Sequence, residues 1–193
     1  MASKQCLDGT YCLWFASDDG LSMNTTAYYA NSDRQYNARF QGLPDAKLYI
    51  LKVEQFGVNG FPNNKYAGTS NGGVVGPAPS CLINVTGFTA LPGDAGFQSP
   101  AGRARDGITL SRLSTNSMNN GKANDSVTPP MTPEFVICKP ENCQLRFTLT
   151  DLDFNLLSGT TAAFVQDTVV PEWILCLSLR PIPDQEADRY FGR

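Results

Sequence analysis

Trp173, Leu175, Leu177 and Leu179 occupy every second position of one unbroken stretch, so a strand there presents all four on a single face. The same period of two recurs along the chain, and no segment carries a long amphipathic helical period. It predicts strands over Gly9 to Ser17, Arg34 to Phe40, Lys47 to Phe56, Cys81 to Thr89, Ile108 to Leu113, Glu134 to Cys138, Gln144 to Thr150 and Trp173 to Leu179. That is about eight strands, the number that closes a two-sheet sandwich. Within Lys47 to Phe56 the apolar set Leu48, Ile50, Val53 and Phe56 changes phase once, which marks a β-bulge. Asp184 to Phe191 reads as a short terminal helix.

A chain of 193 residues, 41% of them hydrophobic and 17% charged, suits one all-β domain spanning residues 1–193 with a core of its own. Two spacers are long: Gly57 to Ser80, rich in Gly, Asn and Pro, and Thr115 to Pro133, rich in Asn, Ser, Thr and Pro. A compact domain rarely keeps loops of that size unless they make contacts. They are expected at one end of the sandwich. A linker between two domains fits less well, because neither half has enough strands to close a core.

The chain contains no histidine. A Ser-His-Asp triad, a Cys-His dyad, a histidine general base and histidine zinc ligands are therefore excluded, and an enzyme is not expected. The net charge is -3 and the 15 basic residues are scattered, so no direct nucleic-acid binding is expected. Apolar runs fall short of a bilayer span, so no transmembrane segment is expected, and the N-terminal residues lack a signal-peptide pattern. Cys6, Cys12, Cys81, Cys138, Cys143 and Cys176 are accordingly read as reduced thiols, several inside apolar runs, though pairing into disulfides stays open. The sequons at Asn24, Asn84 and Asn124 are read as coincidence for the same reason.

Asp151-Leu152-Asp153-Phe154-Asn155 opens like an EF-hand loop, but Leu156 and Ala162 stand where glycine and glutamate are required. A looser Ca²⁺ site at Asp18, Asp19, Asp151 or Asp153 competes with the simpler reading that these residues terminate strands and cap their own turns. Asp151, Asp153, Glu54 and Glu134 are the carboxylates available for a glycosidase pair, with nothing nearby to separate an acid from a base. The glycines at 57, 60, 72 and 73 lack the Gly-Lys-Ser/Thr ending of a phosphate loop. Tyr28, Tyr29, Tyr36, Phe61 and Tyr66 suit a sugar or subunit surface, although packing is the commoner use of such aromatics. No catalytic, cofactor-binding or metal-ligating residue is assigned.

The last third carries a resemblance. Phe135-Val136-Ile137-Cys138, then Gln144 to Leu157, then Glu172-Trp173-Ile174-Leu175-Cys176-Leu177-Ser178-Leu179-Arg180-Pro181 resembles the closing strands of single jelly-roll viral capsid proteins. In penton and minor capsid proteins of icosahedral viruses a strand similarly ends in an aspartate-bearing turn before a final apolar strand. The resemblance implies an eight-stranded antiparallel jelly-roll β-sandwich with long loops at one end. It further implies a structural shell subunit made in the host cytoplasm and carried in the virion. Its partners would be copies of itself and neighbouring capsid proteins, with no cofactor. The basic arm of RNA-packaging coats is missing, which points to a penton or minor shell protein. The alternative is a lectin-like or receptor-binding β-sandwich.

Overall fold

The computed structural model describes residues 2–5, 9–25, 29–59, 80–91, 107–114, 124–127, 134–150, 154–157, 160–161, 168–169 and 172–190. In chain order the strands are β1 (Ala2–Gln5), β2 (Tyr11–Ala16), β3 (Leu21–Ser22), β4 (Asp33–Ala38), β5 (Leu48–Asn59), β6 (Ser80–Thr86) and β7 (Ile108–Ser114). They continue with β8 (Asn124–Val127), β9 (Glu134–Cys138), β10 (Cys143–Thr150), β11 (Thr160–Thr161), β12 (Thr168–Val169) and β13 (Glu172–Pro181), followed by the helix α1 (Asp184–Tyr190). Each strand predicted from period-two patterning has an observed counterpart, and the terminal helix is present.

Two antiparallel sheets face each other. The first runs β1-β2-β13-β5, with β8 and β9 sharing the far edge of β5. The second runs β3-β4-β10-β6-β7. The pairings are nested: β2 with β13, β4 with β10, β5 with β8 and β9, and β6 with β7. The chain is thus one long hairpin, doubled back between β6 and β7 and wound so that successive rungs fall in alternate sheets.

Alternation places one face of every major strand between the sheets. Phe15, Trp173, Leu175 and Leu177 enter from the first sheet, and Tyr36, Ile83, Phe147 and Leu149 from the second. Phe15 and Phe147 lie 4.7 Å apart between ring centroids, and Trp173 stands 5.9 Å from Phe147, so one aromatic cluster spans the sheet gap. Two polar tips leave this cluster and tie the layers: Trp173 Nε1 donates to Asn31 O at 2.6 Å, and Tyr36 Oη donates to Ala16 O.

The expected bulge is found. Cys176 pairs with Gln55 and Leu177 with Val53, so Glu54 has no partner in the ladder. Before it Tyr49, Leu51 and Val53 face the inter-sheet core; after it Phe56 and Val58 do. This corrects the apolar set read from sequence. Leu48 and Ile50 point to the outer face, where they pack with Val136, Ile182 and Ala187 beneath α1. A helix laid over that face makes outward positions as apolar as inward ones. α1 itself carries Asp184 and Glu186 in its first turn and Arg189 in its last, matching the helix dipole.

Two further differences concern the long spacers. β5 runs on to Asn59, so Gly57 to Asn59 are ladder residues rather than loop. The spacer Thr115 to Pro133 contains β8, although Asn124-Asp125-Ser126 has weak strand propensity; its pairing with Phe56–Asn59 supplies the ladder that local preference does not. Residues 60–79, 115–123 and 128–133 lie outside the described residues.

Candidate functional site

The sandwich has two outer faces, and their chemistry differs. On the first sheet the outward residues of β13 are Glu172, Ile174, Cys176, Ser178 and Arg180, because Trp173, Leu175, Leu177 and Leu179 all point inward. Near β5 and β9 this face is roofed by α1. Over β2 and β13 the outward Cys176 and Ser178 are buried, but two large apolar side chains emerge: Trp14 is 39% exposed and Ile174 41%. Trp14 sits opposite Cys176, and Ile174 sits between Ala16 on β2 and Gly57 on β5. Ile174 is therefore a knob with very small residues on both sides. Beyond this patch the bulge turns Glu54 outward to accept a 2.6 Å hydrogen bond from Ser178 Oγ.

The outer face of the second sheet is polar. Asn84, buried on β6, donates from Nδ2 to Thr150 Oγ1 at 3.0 Å and accepts at Oδ1 from Thr109 Oγ1 at 2.7 Å. The network spans β7, β6 and β10 and satisfies the Asn84 amide within the fold. On β4 the Asp33 carboxylate, 3% exposed, takes a bidentate pair from Arg146 on β10: Nε to Oδ1 and Nη2 to Oδ2, both 2.7 Å. The Asp33 hydrogen bonds hold the Arg146 guanidinium above its ordinary range. Both arrangements are closed on themselves, so their chemistry is structural.

Among the described residues, the candidates weighed from sequence do not converge. Asp18 and Asp19 lie exposed in the turn after β2, Glu54 is held by Ser178 on the outer face, and Glu134 is exposed at the start of β9. Asp151 and Asp153 lie outside the described residues, as do Tyr28, Phe61 and Tyr66. Tyr36 is a core residue rather than a surface platform, and burial pushes its phenol well above the usual range despite the opposing effect of Arg34. Among the described residues no group of three or more Cys, Asp or Glu stands together to hold a metal. Cys138 and Cys143 are free thiols, and burial raises the Cys143 thiol. Asn84, the centre of one sequon, has no room for a glycan in the folded state.

Among the described residues no helix is long and apolar enough to cross a membrane. The chain matches no family model, and neither curated proteins nor solved structures provide a match. The outward Trp14–Ile174 pair is a feature that sequence patterning missed. The signal was there in Tyr11-Cys12-Leu13-Trp14-Phe15-Ala16: a strand apolar on both faces needs cover on both.

Proposed function

We propose that this chain is a structural subunit of an icosahedral virus shell, a penton or minor capsid protein, built on a jelly-roll sandwich. The observation that carries the reading is strand order. With β8 and β9 counted as one interrupted strand along β5, the major strands in chain order are β2, β4, β5, β6, β7, β8/β9, β10 and β13. The first sheet then reads first-eighth-third-sixth and the second reads second-seventh-fourth-fifth. That order supports reading the sandwich as a doubled hairpin wound into two Greek keys, the pattern of a jelly roll.

The chemistry agrees with an assembly role. Histidine is absent, the carboxylates among the described residues are scattered, and the polar clusters on the second sheet satisfy themselves. Among the described residues the outer face of the first sheet leaves apolar side chains exposed at Trp14 and Ile174, and contact with protein recovers the free energy of such surface. Closed rings bury such surface repeatedly through one kind of contact.

Native mass spectrometry of the purified chain tests the proposal. Pentamers or larger closed assemblies are expected. A chain that stays monomeric and binds glycans on an array would replace the shell reading with a lectin-like one.

A further inference from the structure

The outer face of β13 is electrically polarised. Glu172 stands exposed at one end and Arg180 exposed at the other, with the exposed Ile174 and the buried Cys176 and Ser178 between them on the same face. Eight residue steps at ~3.3 Å each separate the two charges by about 26 Å, far beyond contact within one chain. Beside this line, in the row of Cys176, Trp14 projects from β2.

We propose that this half-face, through its exposed Trp14, Ile174, Glu172 and Arg180, is a two-fold contact with a second copy of the chain, in which β13 strands lie antiparallel and Glu172 of each copy meets Arg180 of the other. The axis lies between the sheets, perpendicular to the strands, and passes through the row of Trp14 and Cys176. Two exposed tryptophans then meet at the centre, and Ile174 of each copy lies over the Ser178 row of the other, between Cys12 and Lys52. Aligned sheet packing keeps facing strands within about 30° of each other, which leaves both ion pairs within reach of long side chains. The other face-to-face two-fold, with its axis along the strands, sets Glu172 against Glu172 and Arg180 against Arg180, and like charges disfavour it.

The helix limits how far the contact extends. α1 raises a ridge over Leu48, Ile50 and Val136, on the β5 and β9 side only. Rotation about the proposed axis keeps both helices on that side, at opposite ends, which confines the close contact to β2 and β13. The contact is isologous, and it names the first partner of the proposed shell subunit: itself. It rests on that reading for the kind of occupant, not for the geometry.

The test is sedimentation velocity over a range of concentrations at low salt, on the full chain and four variants whose changes sit at exposed positions. The wild type is expected to dimerise reversibly. E172R and R180E should each weaken dimerisation by about tenfold, since each breaks two symmetry-related pairs. The double swap E172R/R180E should restore it, because the 26 Å span leaves only an intermolecular route to rescue. W14D should abolish it while the thermal midpoint stays near that of the wild type. A wild type monomeric at every concentration, a W14D variant that dimerises normally, or a double swap without rescue would each overturn the contact. Closed shells that persist in all four variants would remove this contact and leave the shell reading intact. Charge-dependent dimers without any larger closed form would keep the contact and end the shell reading.

Discussion

Asp33 and Arg146 form a bidentate ion pair across β4 and β10 in which the acid is almost wholly buried and the base is half exposed. The asymmetry decides what each substitution does. Arg146→Met strands a carboxylate away from water. The expected cost is about 2–3 kcal/mol, below the ~3–5 kcal/mol typical when both partners are buried, because water still reaches the site. Asp33→Asn leaves an exposed guanidinium and a hydrogen-bonding amide, and should cost less. Urea titration of both variants checks the order; equal losses would show that the burial of Asp33 is not what matters.

Trp173 joins the inter-sheet aromatic cluster and anchors its indole N–H on Asn31 O. Trp173→Ala is expected to lose about 3–5 kcal/mol, as large core aromatics do. Trp173→Phe keeps ring packing and gives up the hydrogen bond, so it should retain most of the stability. A thermal midpoint unmoved by the alanine change would contradict the core placement.

Gly87 and Gly107 close one end of the β6–β7 ladder, with φ of 110° and 104°. A Cβ at Gly87 would collide with Gln144 O, and one at Gly107 with Val85 O, both backbone atoms that cannot swing aside. Alanine at either site combines a disfavoured backbone region with a clash, and should cost upward of about 1–3 kcal/mol. By contrast Gly42, at φ 83° with open space around it, should tolerate alanine better. Denaturant midpoints of the three variants give the ranking.

Tyr36 makes stability depend on alkaline pH. Burial raises its phenol above the unfolded value of 10.0, so the folded state prefers the neutral form. Its contribution is complete below about pH 10 and is lost as pH climbs through the folded value. Tyr49, raised by burial too, acts in the same direction. The stability of the wild type should therefore fall above about pH 10, and Tyr36→Phe should flatten part of that fall. It would also give up the bond to Ala16 O, a loss of about 1 kcal/mol at neutral pH.

The reach of the alternation rule is visible in particular residues. Leu145 to Leu149 was legible because its outward neighbours Arg146 and Thr148 are polar, and Trp173 to Leu179 because four large apolar residues keep a period of two despite the outward Ile174. The bulge at Glu54 was legible as a phase change. The outward burial of Leu48 and Ile50 was not, since it depends on where α1 comes to rest, and nothing local to β5 records that. β8 was missed because its strand state comes from a partner strand more than sixty residues earlier, not from Asn, Asp and Ser. The outward Trp14 was hidden for the opposite reason: in an apolar run every residue looks like core.

Cutting the β5–β6 connection follows from the ladder limits. Replacing residues 60–79 by a short glycine-serine link leaves every β5 pairing with β13, β8 and β9 in place. The variant is expected to fold with a thermal midpoint close to wild type yet to assemble less completely. Full assembly of this variant would move the shell contacts elsewhere.

Electron microscopy of the concentrated chain addresses the central claim, that this sandwich works by touching copies of itself. Closed, symmetric particles or rings of uniform size are the predicted result. A field of single compact molecules at every concentration, unchanged by salt, would contradict it.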